Sequence, residues 1–213
     1  MKAETFSIGS RHYDNEDRLA VQELSESGIV ALLADGMGGL SLGYMAADVV
    51  TKSIADYIKS NYKGSDDQKV LHEALDYADK ELRNVSMTNK SNMGAAVAVV
   101  IVHDHHLYCT WQGNVRVYVQ HDNKLSLITE DRIANIGYGR TALTRCIKGA
   151  GLRDDVPFVS RELINDDAVI LCTDGLYSVD ESDMASSSVD EIKARIVSPE
   201  DDASLSLDRK SVV

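Results

Sequence analysis

The chain has 213 residues, 44% of them apolar and 26% charged, with proline at only two positions, a makeup that excludes disordered, collagen-like and repeat-array architectures. A chain of this size buries roughly 70% of its extended surface on folding, so one domain over residues 1–213 is expected to stand without disulfides. The 34 acidic against 22 basic side chains give a net charge of −12, which repels a phosphate backbone and argues against nucleic acid as a partner.

Strand-type runs come first, at residues 5–8, 19–24 and 29–34, the last running into Asp35-Gly36 and a Gly-rich turn. Two long helices follow. Leu42, Met45, Val49, Ile54, Tyr57 and Ile58 recur at helical spacing over 41–61, and Val70, Leu71, Ala74, Leu75, Ala78 and Leu82 do so over 66–85. Further strands are expected at 95–102, 107–111, 115–120 and 125–128, and the short polar turns between them predict an antiparallel meander. Residues 130–155 carry no periodicity and read as irregular. Strands at 158–163 and 168–173 then lead to a helical patch near Asp183, a helix over 189–197 and a last strand at 203–208. Long helices between antiparallel runs, without a βαβ alternation, predict an α+β fold: a four-layer α-β-β-α sandwich of two packed, mainly antiparallel sheets with helices on the outer faces.

Cys109, Cys146 and Cys172 lie in or beside apolar runs with no CxxC spacing and read as buried, reduced thiols. The longest apolar stretch, 95–102, has eight residues, far short of the ~20 that span a bilayer. A cytoplasmic location with no membrane partner is therefore expected.

The chemistry is expected at four acidic clusters: Asn15-Glu16-Asp17, Asp35-Gly36, Asp174-Gly175 and Glu200-Asp201-Asp202. Two of them repeat one local pattern, an apolar strand ending in Asp-Gly. The carboxylate is thereby held at a sheet rim, and glycine lets the backbone turn sharply and approach whatever the Asp binds. Either Asp-Gly alone is an ordinary turn; it is the combination that points to a site. Carboxylates converging without His or Cys select hard cations such as Mg²⁺ or Mn²⁺. Two such ions suit in-line hydrolysis of a phosphate ester.

The ordered set of motifs resembles the metal-dependent protein phosphatases of the protein phosphatase 2C type, in their bacterial-like form. Arg11 precedes Asn15-Glu16-Asp17. After these come Asp35-Gly36-Met37-Gly38-Gly39, Gly94, Gly113-Asn114-Val115-Arg116, Leu127-Ile128-Thr129-Glu130-Asp131, Cys172-Thr173-Asp174-Gly175-Leu176 and Asp201-Asp202-Ala203-Ser204. The resemblance implies a signalling hydrolase that acts on phosphoserine and phosphothreonine in proteins through a water bridging two Mn²⁺ or Mg²⁺ ions. It implies that Asp35 bridges the ions, that Glu16 and the Gly36 carbonyl complete one site, and that Asp174 and Asp201 complete the other. Asp17 and Asn114 would stand behind the ligands, Asp17 holding a water, and Arg11 would clamp the substrate phosphate. A phosphorylated protein is the implied partner and a Ser/Thr kinase a candidate one.

The chain departs from the family pattern in several places. Asn114 stands where the family has Asp, which puts a third ion in doubt. Asp202 replaces an Asn, Met37 a His of eukaryotic relatives, and Arg11 lies one residue farther from Asn15 than is usual in bacterial relatives. Only Arg132 to Leu143 is left for the flap that relatives carry. A regulatory pseudophosphatase and a hydrolase of small phosphate esters are the alternative readings. Other features read as ordinary structure: His103, His105 and His106 as a solvated turn, His12 as a surface residue, Gly137-Tyr138-Gly139-Arg140 as loop, Arg116 as the partner of an acidic neighbour, and Trp111 as core or rim.

Overall fold

The computed structural model describes residues 2–10, 14–24, 28–37, 42–138, 140–153, 155–196, 199 and 201–209. Its centre is explained by β3 (Gly28–Gly36) and β4 (Ala95–His103), which are apolar on both faces and pair antiparallel from Ile29↔Val102 to Gly36↔Ala95. Such strands need cover on both sides. Val30, Leu32, Ala34, Val97, Val99 and Ile101 point to one core; Ala31, Leu33, Ala96, Ala98 and Val100 point to another. The period-2 alternation of a strand thus feeds two separate layers.

The first core is roofed by α1 (Gly43–Asn61) and α2 (Asp67–Asn89), whose Ile54, Ile58, Leu71, Leu75 and Leu82 are fully buried. Around the central pair, β2 (Asp17–Leu24), β5 (His106–Gln112) and β10 (Phe158–Glu162) complete a sheet of order β10-β5-β4-β3-β2. The second core is closed by a sheet of order β1-β12-β11-β6-β7, built from β1 (Lys2–Ile8), β6 (Arg116–His121), β7 (Lys124–Leu127), β11 (Ala168–Cys172) and β12 (Ala203–Arg209). On its far face α3 (Glu181–Ser186) and α4 (Val189–Arg195) bury Met184, Val189 and Ile192 against Ile170, Cys172 and Leu205. The expected four-layer α-β-β-α sandwich is the observed one, and all strand pairings named here are antiparallel.

Two local expectations are corrected. Strands β4 to β7 are not one meander: β4 pairs with β5 and β6 with β7, while residues 112–114 carry the chain from one sheet to the other. Gly113 makes that crossing with φ +110°, and a Cβ there would lie 2.4 Å from that of Ala96. Residues 130–155 are not wholly irregular, because β8 (Ile133–Gly137) and β9 (Arg140–Leu143) form a separate hairpin. Its strands are almost entirely exposed, so no buried face imposed an alternation that the sequence could reveal. Among the described residues no helix is long and apolar enough to cross a membrane.

Candidate active site

The register of β2 on β3 sets Asp17 opposite Asp35 at the end of the first sheet. There the chain turns through Gly36, whose N–H donates to the Glu16 carbonyl at 3.2 Å. A Cβ on Gly36 would stand 2.3 Å from the Gly43 carbonyl oxygen, so glycine is what lets the start of α1 close over the strand end. Glu16 reaches this same helix start, its carboxylate oxygens 2.5 and 2.7 Å from where a Cβ on Gly43 would stand. The first turn of a helix offers unpaired N–H groups and a positive dipole end to such a carboxylate.

The second sheet contributes in a parallel way. β11 runs into Asp174-Gly175, and a Cβ on Gly175 would lie 2.2 Å from the Asp202 carbonyl oxygen. This close approach brings Asp201 and Asp202 alongside Asp174. Asp202 accepts from the N–H of Ser10 at 2.7 Å and of Glu16 at 2.6 Å, tying the segment before β2 to the second sheet. Thr173 donates from Oγ1 to Asp17 Oδ2 at 2.9 Å and accepts from the Ser204 N–H at 2.9 Å. Asn114 donates from Nδ2 to Asp174 Oδ2 at 2.9 Å.

These turns open on one cleft of about 520 Å³, lined by Glu16, Asp35, Gly36, Met37, Asn114, Asp174, Asp201 and Asp202, with Ile133, Thr141, Ala142 and Leu143 of the β8–β9 hairpin as its other wall. Burial first, then the charges of Asp17, Asp174, Asp201 and Asp202, push the Asp35 carboxyl well above its ordinary value. Burial raises Asp17 to about 7, with the neighbouring Ser204 and Thr173 hydroxyls opposing the rise. Asp174 is raised by burial and by Asp201, with the Asn114 bond opposing, and Glu16 is raised by burial against the Tyr44 N–H. Several carboxylates that resist ionising together form a site made for positive charge.

The residues of the sandwich and its cleft match the protein phosphatase 2C family over positions 9–208. The chain belongs to this family. Among solved structures, this protein phosphatase 2C member is similar to the serine/threonine phosphatase PstP/Ppp of Mycobacterium tuberculosis, at 20% identity over 97% of each chain with a TM-score of 0.81. It is similar to Stp1 of Staphylococcus aureus at 17% identity, covering 99% of this chain and 95% of that one, with a TM-score of 0.85. The catalytic domain of PstP in complex with two manganese ions matches at 20% identity over 99% of this chain and 98% of that one, with a TM-score of 0.79. No significant match was found among curated proteins.

Of the residues singled out in the sequence, the phosphatase places Glu16, Asp35, Gly36, Asn114, Asp174 and Asp201 on the one cleft. Asp17 lies behind them, buried, with Oδ1 lacking a hydrogen-bond partner among the described residues. Arg11 and His12 lie outside the described residues. The donors fit a hard divalent cation: all are oxygens, they repel one another, and one buried carboxylate oxygen is unmatched. They ring the cleft without meeting at a point, since among the described residues no three acidic, His or Cys side chains stand close enough to hold one ion as placed.

Three contributors escaped the sequence reading: Thr173, Asp202 as a bracket for Glu16, and Tyr177, whose hydroxyl donates to the Asn114 carbonyl. An acidic pair and a threonine at strand ends were visible; the direction of each side chain was not. Elsewhere Arg116 pairs with Asp131 as expected, at 2.7 and 3.1 Å, and Trp111 is buried with its indole N–H on the Glu130 carbonyl at 2.9 Å. Cys109 and Cys172 are buried free thiols and Cys146 is half-buried. His103 is the exception to the solvated turn, since its ring is mostly covered and meets Tyr62 edge-on.

Proposed function

We propose that this protein phosphatase 2C member is a metal-dependent serine/threonine phosphatase, in one catalytic domain, that hydrolyses phosphoserine and phosphothreonine on proteins. The observation that carries the reading is the arrival of Glu16, Asp35, Asp174 and Asp201, distant along the chain, on one cleft. Asp35 and Glu16 with the Gly36 carbonyl would hold one Mn²⁺ or Mg²⁺, and Asp174 and Asp201 with Asp35 the other. When bound, the ions would neutralise phosphoryl oxygens and lower the pKa of a water nucleophile.

The chain's own groups do the rest. No Cys or His is among the described residues lining the cleft, and burial pushes the nearby Cys172 thiol up to about 12. No cysteine thiol is thus poised to attack, and we read water as the nucleophile. Thr173 fixes one oxygen of Asp17, leaving the other, buried and unmatched, to accept a proton or orient a water. Asp202 anchors both ends of the segment that carries Arg11, the group we assign to the substrate phosphate. The β8–β9 hairpin is the wall a phosphoprotein would meet, and a Ser/Thr kinase that makes such substrates is the natural opposing enzyme.

The test is turnover of p-nitrophenyl phosphate with Mn²⁺ and with EDTA, by the wild type, Asp35→Asn and Asp174→Asn. Turnover should need the metal and should fall by about 100-fold or more in each variant, the scale on which one well-placed electrostatic group acts in catalysis. Metal-independent turnover, or turnover that survives both substitutions, overturns the reading; no turnover at all favours a regulatory binding role. A phosphothreonine peptide should be preferred over a sugar phosphate.

A further inference from the structure

Asn114 is gripped from several sides. Gly113 fixes the backbone before it, and the Gly113 carbonyl accepts from the Arg132 N–H at 2.8 Å. The Asn114 carbonyl accepts from the Tyr177 hydroxyl. The Tyr177 ring is covered in turn by the Arg116 guanidinium, 3.6 Å from its centroid, which is itself held by both oxygens of Asp131. The side chain so positioned turns its amide nitrogen, not its oxygen, toward Asp174. An ionised carboxylate only accepts, so this orientation is the one that makes a bond; the reverse would set oxygen against oxygen. The amide oxygen, left over, is buried and has no hydrogen-bond partner among the described residues.

A cation between positions 114 and 174 would need oxygens from both residues, and here that place is filled by an N–H. We propose that Asn114 is a positioning residue for Asp174, and that its amide N–H stands where a further cation would have to sit, so that this chain takes two ions and no third. The proposal rests on the two-ion reading above. A neutral amide oxygen is also a poor replacement for a carboxylate toward a hard cation, and the donor bond to Asp174 does for that carboxylate part of what a positive charge would do. The grip of Tyr177, Arg116 and Asp131 holds the Asn114 backbone in place, and the donor bond to Asp174 sets which way the amide faces.

Calorimetric titration of the metal-free protein with Mn²⁺, checked by native mass spectrometry, tests this on the wild type, Asn114→Asp and Asn114→Ser. The wild type should bind two ions, Asn114→Asp three, and Asn114→Ser two with the weaker step loosened by about 10-fold, as when a group supporting a metal ligand is lost. Three ions in the wild type, two in Asn114→Asp, or unchanged affinity in Asn114→Ser overturns the proposal. A wild type that binds none overturns the metal-dependent reading itself. Should a variant fail to fold, as a melt would show, the wild-type count still decides.

Discussion

Asp17 is a buried acid whose carboxyl is raised to about 7, chiefly by burial, and Asp35 beside it is held well above its ordinary value by burial and by the charges around it. A group whose folded pKa exceeds its unfolded value contributes stability that is complete below the unfolded value and is lost as pH climbs through the folded one. For metal-free protein the window therefore runs from about pH 4, the ordinary carboxylate value, to about 7. Melting temperature in EDTA should rise as pH falls from 7.5 toward 5.5, and Asp17→Asn should flatten the slope by removing one charge while keeping the shape. Each kcal/mol relieved is worth about 2–4 °C at this chain length. A metal-free melt that falls steadily with acid over that range, or an Asp17→Asn protein with the wild-type slope, overturns this account. Glu16, Asp35 and Asp174 were legible in the sequence because carboxylates at strand ends next to turn residues leave a local signature. The roles of Thr173 and Asp202, though both stand in the motifs read from the sequence, were not, because they depend on partners far away in the chain: Asp202 meets Ser10 and Glu16 across nearly the whole sequence.

At the scale of elements, the sandwich was legible wherever burial imposed a period: the two helices by their apolar stripes, β3 and β4 by unbroken apolar runs. The crossing at residues 112–114 was not, since a Gly-Asn pair looks the same in a hairpin as in a step between sheets, and only the distant pairing of β6 with β11 separates them. The turns themselves make a sharper prediction. Gly175 has no room for a methyl group, the obstruction being the backbone of Asp202 rather than a flexible side chain. Gly175→Ala should push the 201–202 segment away from Asp174, destabilise the protein by about 1–3 kcal/mol as overpacking does, and weaken Mn²⁺ binding. Melting and titration check both effects; a variant with wild-type melting and affinity would show that the close approach of the two turns is not required.

Over the whole molecule, the carboxylates of the cleft belong to different sheets: Asp35 ends β3 in the first, while Asp174 and Asp201 flank β11 and β12 in the second. Ions held between them would tie the two halves of the sandwich together at the end where repulsion otherwise drives them apart, in a chain that already carries −12. Binding to the folded state alone stabilises it by about 2.7 kcal/mol at 100 times the dissociation constant. At about 2–4 °C per kcal/mol, Mn²⁺ in that excess should raise the melting temperature by about 5–10 °C over EDTA. The effect should be largely absent in Asp174→Asn, and should shrink as pH falls and protons take the place of the metal. Melts that coincide with and without Mn²⁺, or an Asp174→Asn protein stabilised as much as the wild type, would mean that no ion joins the sheets here. A rise in melting confined to low ionic strength would point instead to general screening of the negative surface, so the comparison belongs at 0.15 M salt, where the Debye length is about 8 Å and such screening is already in place.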